Sequence, residues 1–210
     1  MSITGPLAEE TSQLLERVRQ GDSAALNRLL DMHRPFMRRV VEARLDPRLH
    51  ARIDPSDVVQ EAQMEAARRI QDYLERRPMP FHLWLRQTAF ENLLRLQRTH
   101  RADCRTVEKE FPLPDRSSVM LARQLLGETR GPPDELIEAE LARRVREGLA
   151  ALSDTDREIL LMRSFEGLSN QEVAAVLGIE PVAASQRFGR AVLRLRKLLT
   201  QIDPTEGGHD

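Results

Sequence analysis

Residues Leu168–Leu199, LSNQEVAAVLGIEPVAASQRFGRAVLRLRKLL, decide how this chain is read. Ser169 suits an N-cap, and Glu172 three residues later completes a capping box. Val173, Ala174 and Leu177 form an apolar face at helical spacing, and Gly178 stands where a helix can stop in a left-handed conformation. Pro181 suits the first turn of a second helix, because its missing N–H would be unpaired there anyway. That helix sets Ala184, Phe188, Ala191, Val192, Leu195 and Leu198 on one side. The other side holds Ser185, Gln186, Arg187, Arg190, Arg194, Arg196 and Lys197. A short capped helix, a glycine turn and a longer basic helix match the pattern of a DNA-reading helix-turn-helix.

The formal net charge of the 210-residue chain is −1, so no global basic field is present. The charge is unevenly placed. Residues 181–200 carry five cations and no acid, whereas residues 132–160 carry eight acids against four arginines. Such a chain can meet DNA at one face and a protein at another. Of 32 basic residues only Lys109 and Lys197 are lysines. Arginine's planar fork suits phosphates and guanine edges, although GC-rich codon usage produces the same bias. The lone Cys104 excludes an internal disulfide framework and a multi-thiolate zinc site, and the five histidines show no ligand spacing. No metal or cofactor is expected. No apolar run approaches the roughly 20 residues of a membrane span, and no signal peptide opens the chain, so a cytoplasmic protein without membrane insertion is expected.

Met1–Thr11 reads as a frayed tail. Helical periodicity begins at Ser12 and restarts after Gly21-Asp22-Ser23, in a run that Pro35 is expected to kink or interrupt. Asp54-Pro55-Ser56-Asp57 opens another helix, with Asp54 or Ser56 as cap. A loop with Pro78 and Pro80 precedes a helix from Phe81 to about Arg101, whose Trp84 reads as a core anchor or a base-stacking group. Residues 101–133 hold two Gly and four Pro and read as a linker, with a short helix possible from Ser118 to Leu126. Sustained period-two alternation is absent. The expected fold is all-α: two small helical domains, 12–101 and 134–200, joined by a flexible linker at 102–133.

Two segments, in order, resemble the extracytoplasmic-function group of bacterial RNA polymerase sigma factors, which keeps the second and fourth sigma domains. The C-terminal resemblance runs through Leu152-Ser153, Arg157–Leu161, Phe165–Ser169, Glu172–Ala174 and Leu177–Ile179. The N-terminal one runs through Gly21-Asp22 with Ala24–Leu26, then Asp57–Glu61, then Phe81, Trp84-Leu85 and Ala89. The resemblance implies that Asp57, Gln60 and Glu61 dock on a coiled coil of core RNA polymerase. Their spacing is compatible, since with Met64 they fall at i, i+3, i+4 and i+7, on one stripe. It implies that the Tyr73–Pro80 loop and Arg86, Arg95 and Arg98 serve the −10 element of promoter DNA. It implies that Ser185, Gln186, Arg187 and Arg190 read the −35 element, with Arg194 nearer the phosphates. An anti-sigma factor is a common partner in the family. This chain departs from the family at Phe90-Glu91, where Arg-Asn is usual, and near Arg95, where an acid is usual. Similar departures occur in a branch associated with planctomycetes. No phosphate loop, His-Glu-x-x-His or arguable nucleophile set is found, so no enzyme is expected. Two alternatives stay open: a stand-alone helix-turn-helix regulator, and an interaction scaffold with degenerate DNA surfaces.

Overall fold

The computed structural model describes residues 6–45, 49, 52–102, 115–126 and 135–200, and among them every regular element is a helix. The connection after Asp46, Cys104 and the tail from Asp203 lie outside the described residues.

Four helices build the first bundle: α1 (Pro6–Arg19), α2 (Ser23–Glu42), α3 (Pro55–Arg76) and α4 (Phe81–Ala102). Local chemistry sets their ends. The Asp22 carboxylate accepts from the Ala25 N–H to cap α2, and it also takes Arg17 Nη2 at 2.7 Å. Asp54, rather than Ser56, caps α3, accepting from the Ser56 N–H at 2.7 Å. The α3 helix ends at Arg77, which adopts the left-handed conformation (φ 39°). Leu14, Leu15 and Val18 of α1 pack against Leu29, Met37 and Val41 of α2, Val59 and Ile70 of α3, and Trp84, Leu85 and Leu93 of α4.

Two sequence expectations change here. Residues 6–11 are helical rather than frayed: the Thr11 hydroxyl donates to the Leu7 carbonyl and lies 3.0 Å from His33 Nε2. The α2 helix runs unbroken through Pro35, whose ring is exposed while His33, Phe36 and Met37 beside it are buried. Packing on both sides of Pro35 outweighs the one hydrogen bond it cannot donate.

The second bundle comprises α5 (Asp115–Leu126), α6 (Glu135–Ala150), α7 (Asp154–Ser164), α8 (Asn170–Leu177) and α9 (Pro181–Thr200). Here α5 is the short helix expected from Ser118 to Leu126, beginning three residues earlier and docked on the second bundle. Leu121 and Ala122 are buried with Val145 and Leu149 of α6 and with Ala191 and Leu195 of α9. Within the segment 102–133 the 12 residues Asp115–Leu126 are helix, and their buried face belongs to the C-terminal core. The capping box is formed as expected, with Glu172 N–H on Ser169 Oγ and Ser169 N–H on Glu172 Oε2 at 2.6 Å. Gly178 ends α8 at φ 64°.

Burial, with His82 nearby, holds the His33 imidazole down at about 4 from its ordinary 6.5. Between those values the unfolded chain binds more protons than the folded one. Stability is therefore full above pH 6.5 and falls as pH drops toward 4, by up to roughly 3 kcal/mol. Urea unfolding at pH 7 and pH 5 should show this loss in the wild type and a clearly flatter response in His33→Gln.

Candidate promoter and polymerase interface

The α3 helix presents Asp57, Gln60, Glu61 and Met64 to solvent, on the stripe their spacing gives, and Met64 is 51% exposed. Beneath it Gln63 is buried and donates to the Leu30 carbonyl at 3.0 Å, which pins the stripe to α2. Two carboxylates, an amide and a thioether on an exposed ridge suit a helix carrying arginines and apolar side chains. Glu61 lies 3.8 Å from Arg95 Nη2, an exposed contact that solvent screens.

At the other end of α3, the Tyr73 hydroxyl donates to the Met79 carbonyl at 3.1 Å and holds the Arg77–Pro80 loop. Tyr73, Phe81 and Trp84 form an aromatic cluster with centroids 4.8–5.7 Å apart. Trp84 is buried, so it is a core anchor. An open groove beside it is edged by Arg69, Arg76, Pro78 and Gln87. Arg95 and Arg98 are exposed further along α4.

Arg86 overturns its expected place on the DNA-facing side. It is 5% exposed, and its Nε donates to Glu166 Oε2 at 2.6 Å, across the boundary between the bundles. Arg44, just beyond α2, joins it. Arg44 Nη2 reaches Glu158 Oε2 at 2.8 Å, and its Nη1 bonds Glu166 Oε1. Both guanidiniums lie over the Phe90 ring, at 5.2 and 5.9 Å. Burial pushes the Glu166 carboxyl up, but Arg44 and Arg86 outweigh it and hold it below the ordinary carboxylate range. The sequence signal for this is a second apolar stripe on α4: Leu83 and Phe90 flank Arg86 at i−3 and i+4. Glu158 and Arg44 carried no such signal, because their partners are 72 to 122 residues distant.

On α9 the polar face lies as expected. Ser185, Gln186, Arg190 and Arg194 are exposed and Arg187 is half-buried, while Ala184, Ala191 and Leu195 face inward. Arg194 Nη1 stands 3.8 Å from Asp156, and the guanidinium of Arg163 covers Phe188 at 5.3 Å. Amide and guanidinium donors on an exposed helix turn can pair bidentately with base edges in a major groove. A Cβ built on Gly189 meets nothing within 4 Å, so the glycine serves no close packing within the chain.

Residues 142–195, spanning α6 to α9, match the model of Sigma-70, region 4. The ECF RNA polymerase sigma factor SigD of Mycobacterium tuberculosis is 31% identical over 179 residues, covering 84% of this chain and 77% of SigD. This chain belongs to the extracytoplasmic-function sigma factors of RNA polymerase. The family directs transcription initiation. A relative in Xanthomonas campestris, RfaY, is 31% identical over 146 residues, and this chain spans 34% of its length. The sigma factor also shares its fold with CnrH of Cupriavidus metallidurans, solved in complex with the cytosolic domain of CnrY. That likeness has a TM-score of 0.56 and 22% identity over 93% of this chain and 97% of CnrH. Among the described residues, no helix of the sigma factor is long and apolar enough to cross a membrane.

Gly189→Ala should raise the sigma factor's unfolding free energy by about 0.5–1 kcal/mol, read by urea denaturation. It should also weaken −35-dependent transcription if Gly189 lets the backbone approach DNA. A more stable variant with unchanged promoter use would remove that role.

Proposed function

We propose that this sigma factor meets core RNA polymerase through Asp57, Gln60 and Glu61 on α3 and reads two promoter elements with its two bundles. The −35 element is taken by Ser185, Gln186, Arg187 and Arg190, with Arg194 near the phosphates. The −10 element is taken by the groove beside Tyr73 and Trp84 together with Arg95 and Arg98. Arg86, buried against Glu166, is left out of the DNA-contacting set. The observation that carries this reading is the pairing of an exposed acidic stripe on α3 with an exposed Gln/Arg face on α9, in a chain whose similarity to SigD covers both bundles. A stand-alone helix-turn-helix regulator would leave the α3 stripe without purpose.

In this reading catalysis belongs to the polymerase, and the protein works in the cytoplasm without a cofactor. An anti-sigma protein is a further partner, in line with the capture of CnrH together with CnrY. The departure at Phe90-Glu91 supports placing the chain near the branch associated with planctomycetes.

Run-off transcription with core polymerase on genomic fragments should give specific initiation. Arg187→Ala with Arg190→Ala should cut it at least tenfold while leaving polymerase binding intact, since each good base pairing is worth about 1–3 kcal/mol. Asp57→Ala with Glu61→Ala should abolish co-elution with core polymerase. Folded protein that supports no specific initiation would sink the reading.

A further inference from the structure

Among the described residues, four large apolar side chains stand in solvent: Met64, Met120, Val182 and Leu193. Met64 belongs to the α3 stripe already described. Val182 and Leu193, 68% and 67% exposed, both belong to α9. With Gln186 and Gly189 between them they fall at i, i+4, i+7 and i+11, so they share one line along the helix. All four residues of that line are exposed, and it lies opposite the buried Ala184, Ala191 and Leu195. It is therefore the centre of the outward face. Ser185 lies to one side of it and Arg190 to the other, while Arg187 is turned further round and is half-buried. From its N-terminal end the line reads apolar, amide, bare backbone, apolar, with cations along its flank.

Nothing in the chain's own packing asks for valine at position 182. It joins no apolar cluster, and at an exposed site a β-branched side chain forms helix less well than alanine. A single exposed apolar residue needs no explanation, but one centred on a helix that faces DNA has a specific counterpart. In the major groove the apolar group on a base edge is the C5 methyl of thymine. 5-Methylcytosine carries the same methyl at the same place. Residues 181–200 hold no acid, so phosphates on either side of the groove attract this face. N-terminal residues of a recognition helix are the ones that reach base edges, and Val182 sits in the first turn. Leu193 lies about 16 Å further along, the length of about five base pairs, where a straight helix leaves a curving groove. Gly189 supports the approach, because the middle of the line has no side chain to hold the backbone off.

We infer that Val182 is a specificity-determining residue that packs on the C5 methyl of a pyrimidine in the −35 element. It makes the sigma factor select thymine there over a pyrimidine without the methyl. It also makes methylation of a cytosine at that position readable. Gln186 stands one turn on, about 6 Å along the axis, and suits the N6 and N7 edge of adenine. The methyl-bearing base pair therefore lies within about two base pairs of an adenine read by Gln186. This inference rests on the proposed reading of the −35 element by α9.

The test uses the full chain with core polymerase, on a promoter recovered by run-off transcription of genomic fragments. Each thymine of its −35 element is replaced in turn by deoxyuridine, which keeps every hydrogen bond and removes the methyl. The affinity of the wild-type holoenzyme should fall about fourfold at one thymine, the worth of one buried methyl group. Val182→Ala should bind the thymine duplex about fourfold more weakly and should not distinguish thymine from deoxyuridine there. Val182→Ile should keep the distinction. At the same position 5-methylcytosine should bind more tightly than cytosine with the wild type and with Val182→Ile, and equally with Val182→Ala. Because Val182 is exposed, Val182→Ala should unfold in urea at or above the wild-type midpoint, which separates a lost contact from a lost fold. Deoxyuridine bound as tightly as thymine at every position, or a distinction that survives Val182→Ala, overturns the inference. Absence of specific initiation from every fragment sinks the promoter reading and the inference with it. Specific initiation that ignores the methyl sinks the inference alone.

Discussion

Glu166 is the constraint on which the arrangement turns. Its side chain is fully buried in the turn between α7 and α8, where an unpaired carboxylate would be intolerable. Its two cations come from the other bundle: Arg86 from the middle of α4 and Arg44 from the turn after α2. Removing one partner leaves a buried charge uncompensated, which typically costs about 3–5 kcal/mol, although a whole buried cluster of this kind adds little net stability. The placement of the bundles is thus specified sharply and held weakly. Gln97 adds to that specification by donating to the Arg44 carbonyl at 2.9 Å, so α4 positions both arginines at once.

The elements legible in the sequence were those whose cause is local. Ser169 and Glu172 cap α8 because the capping box needs only residues three apart, and Gly178 ends it because a glycine adopts the left-handed turn without strain. The stripe Asp57–Gln60–Glu61–Met64 and the polar face of α9 follow from helical period alone. What escaped was decided by distant partners. Arg86 reads as a surface cation until Glu166, 80 residues on, is brought beneath it. Glu172 reads as a cap and nothing more, yet it also takes His82 of α4. Thr11 looks like tail, but it lies against a buried histidine 22 residues away. The Phe90-Glu91 departure looked like a damaged DNA surface. In the structure Phe90 lies under two arginines, while Glu91 is exposed and stands near Arg69.

The docking of α5 onto α6 and α9 has a bearing on reach. With Asp115–Leu126 docked in the second bundle, only residues 103–114 of the sequence separate α4 from α5. Fully drawn out, those residues cover at most about 45 Å, under half of what the whole segment 102–133 would allow. A short separation in sequence keeps the effective concentration of one bundle near the other high.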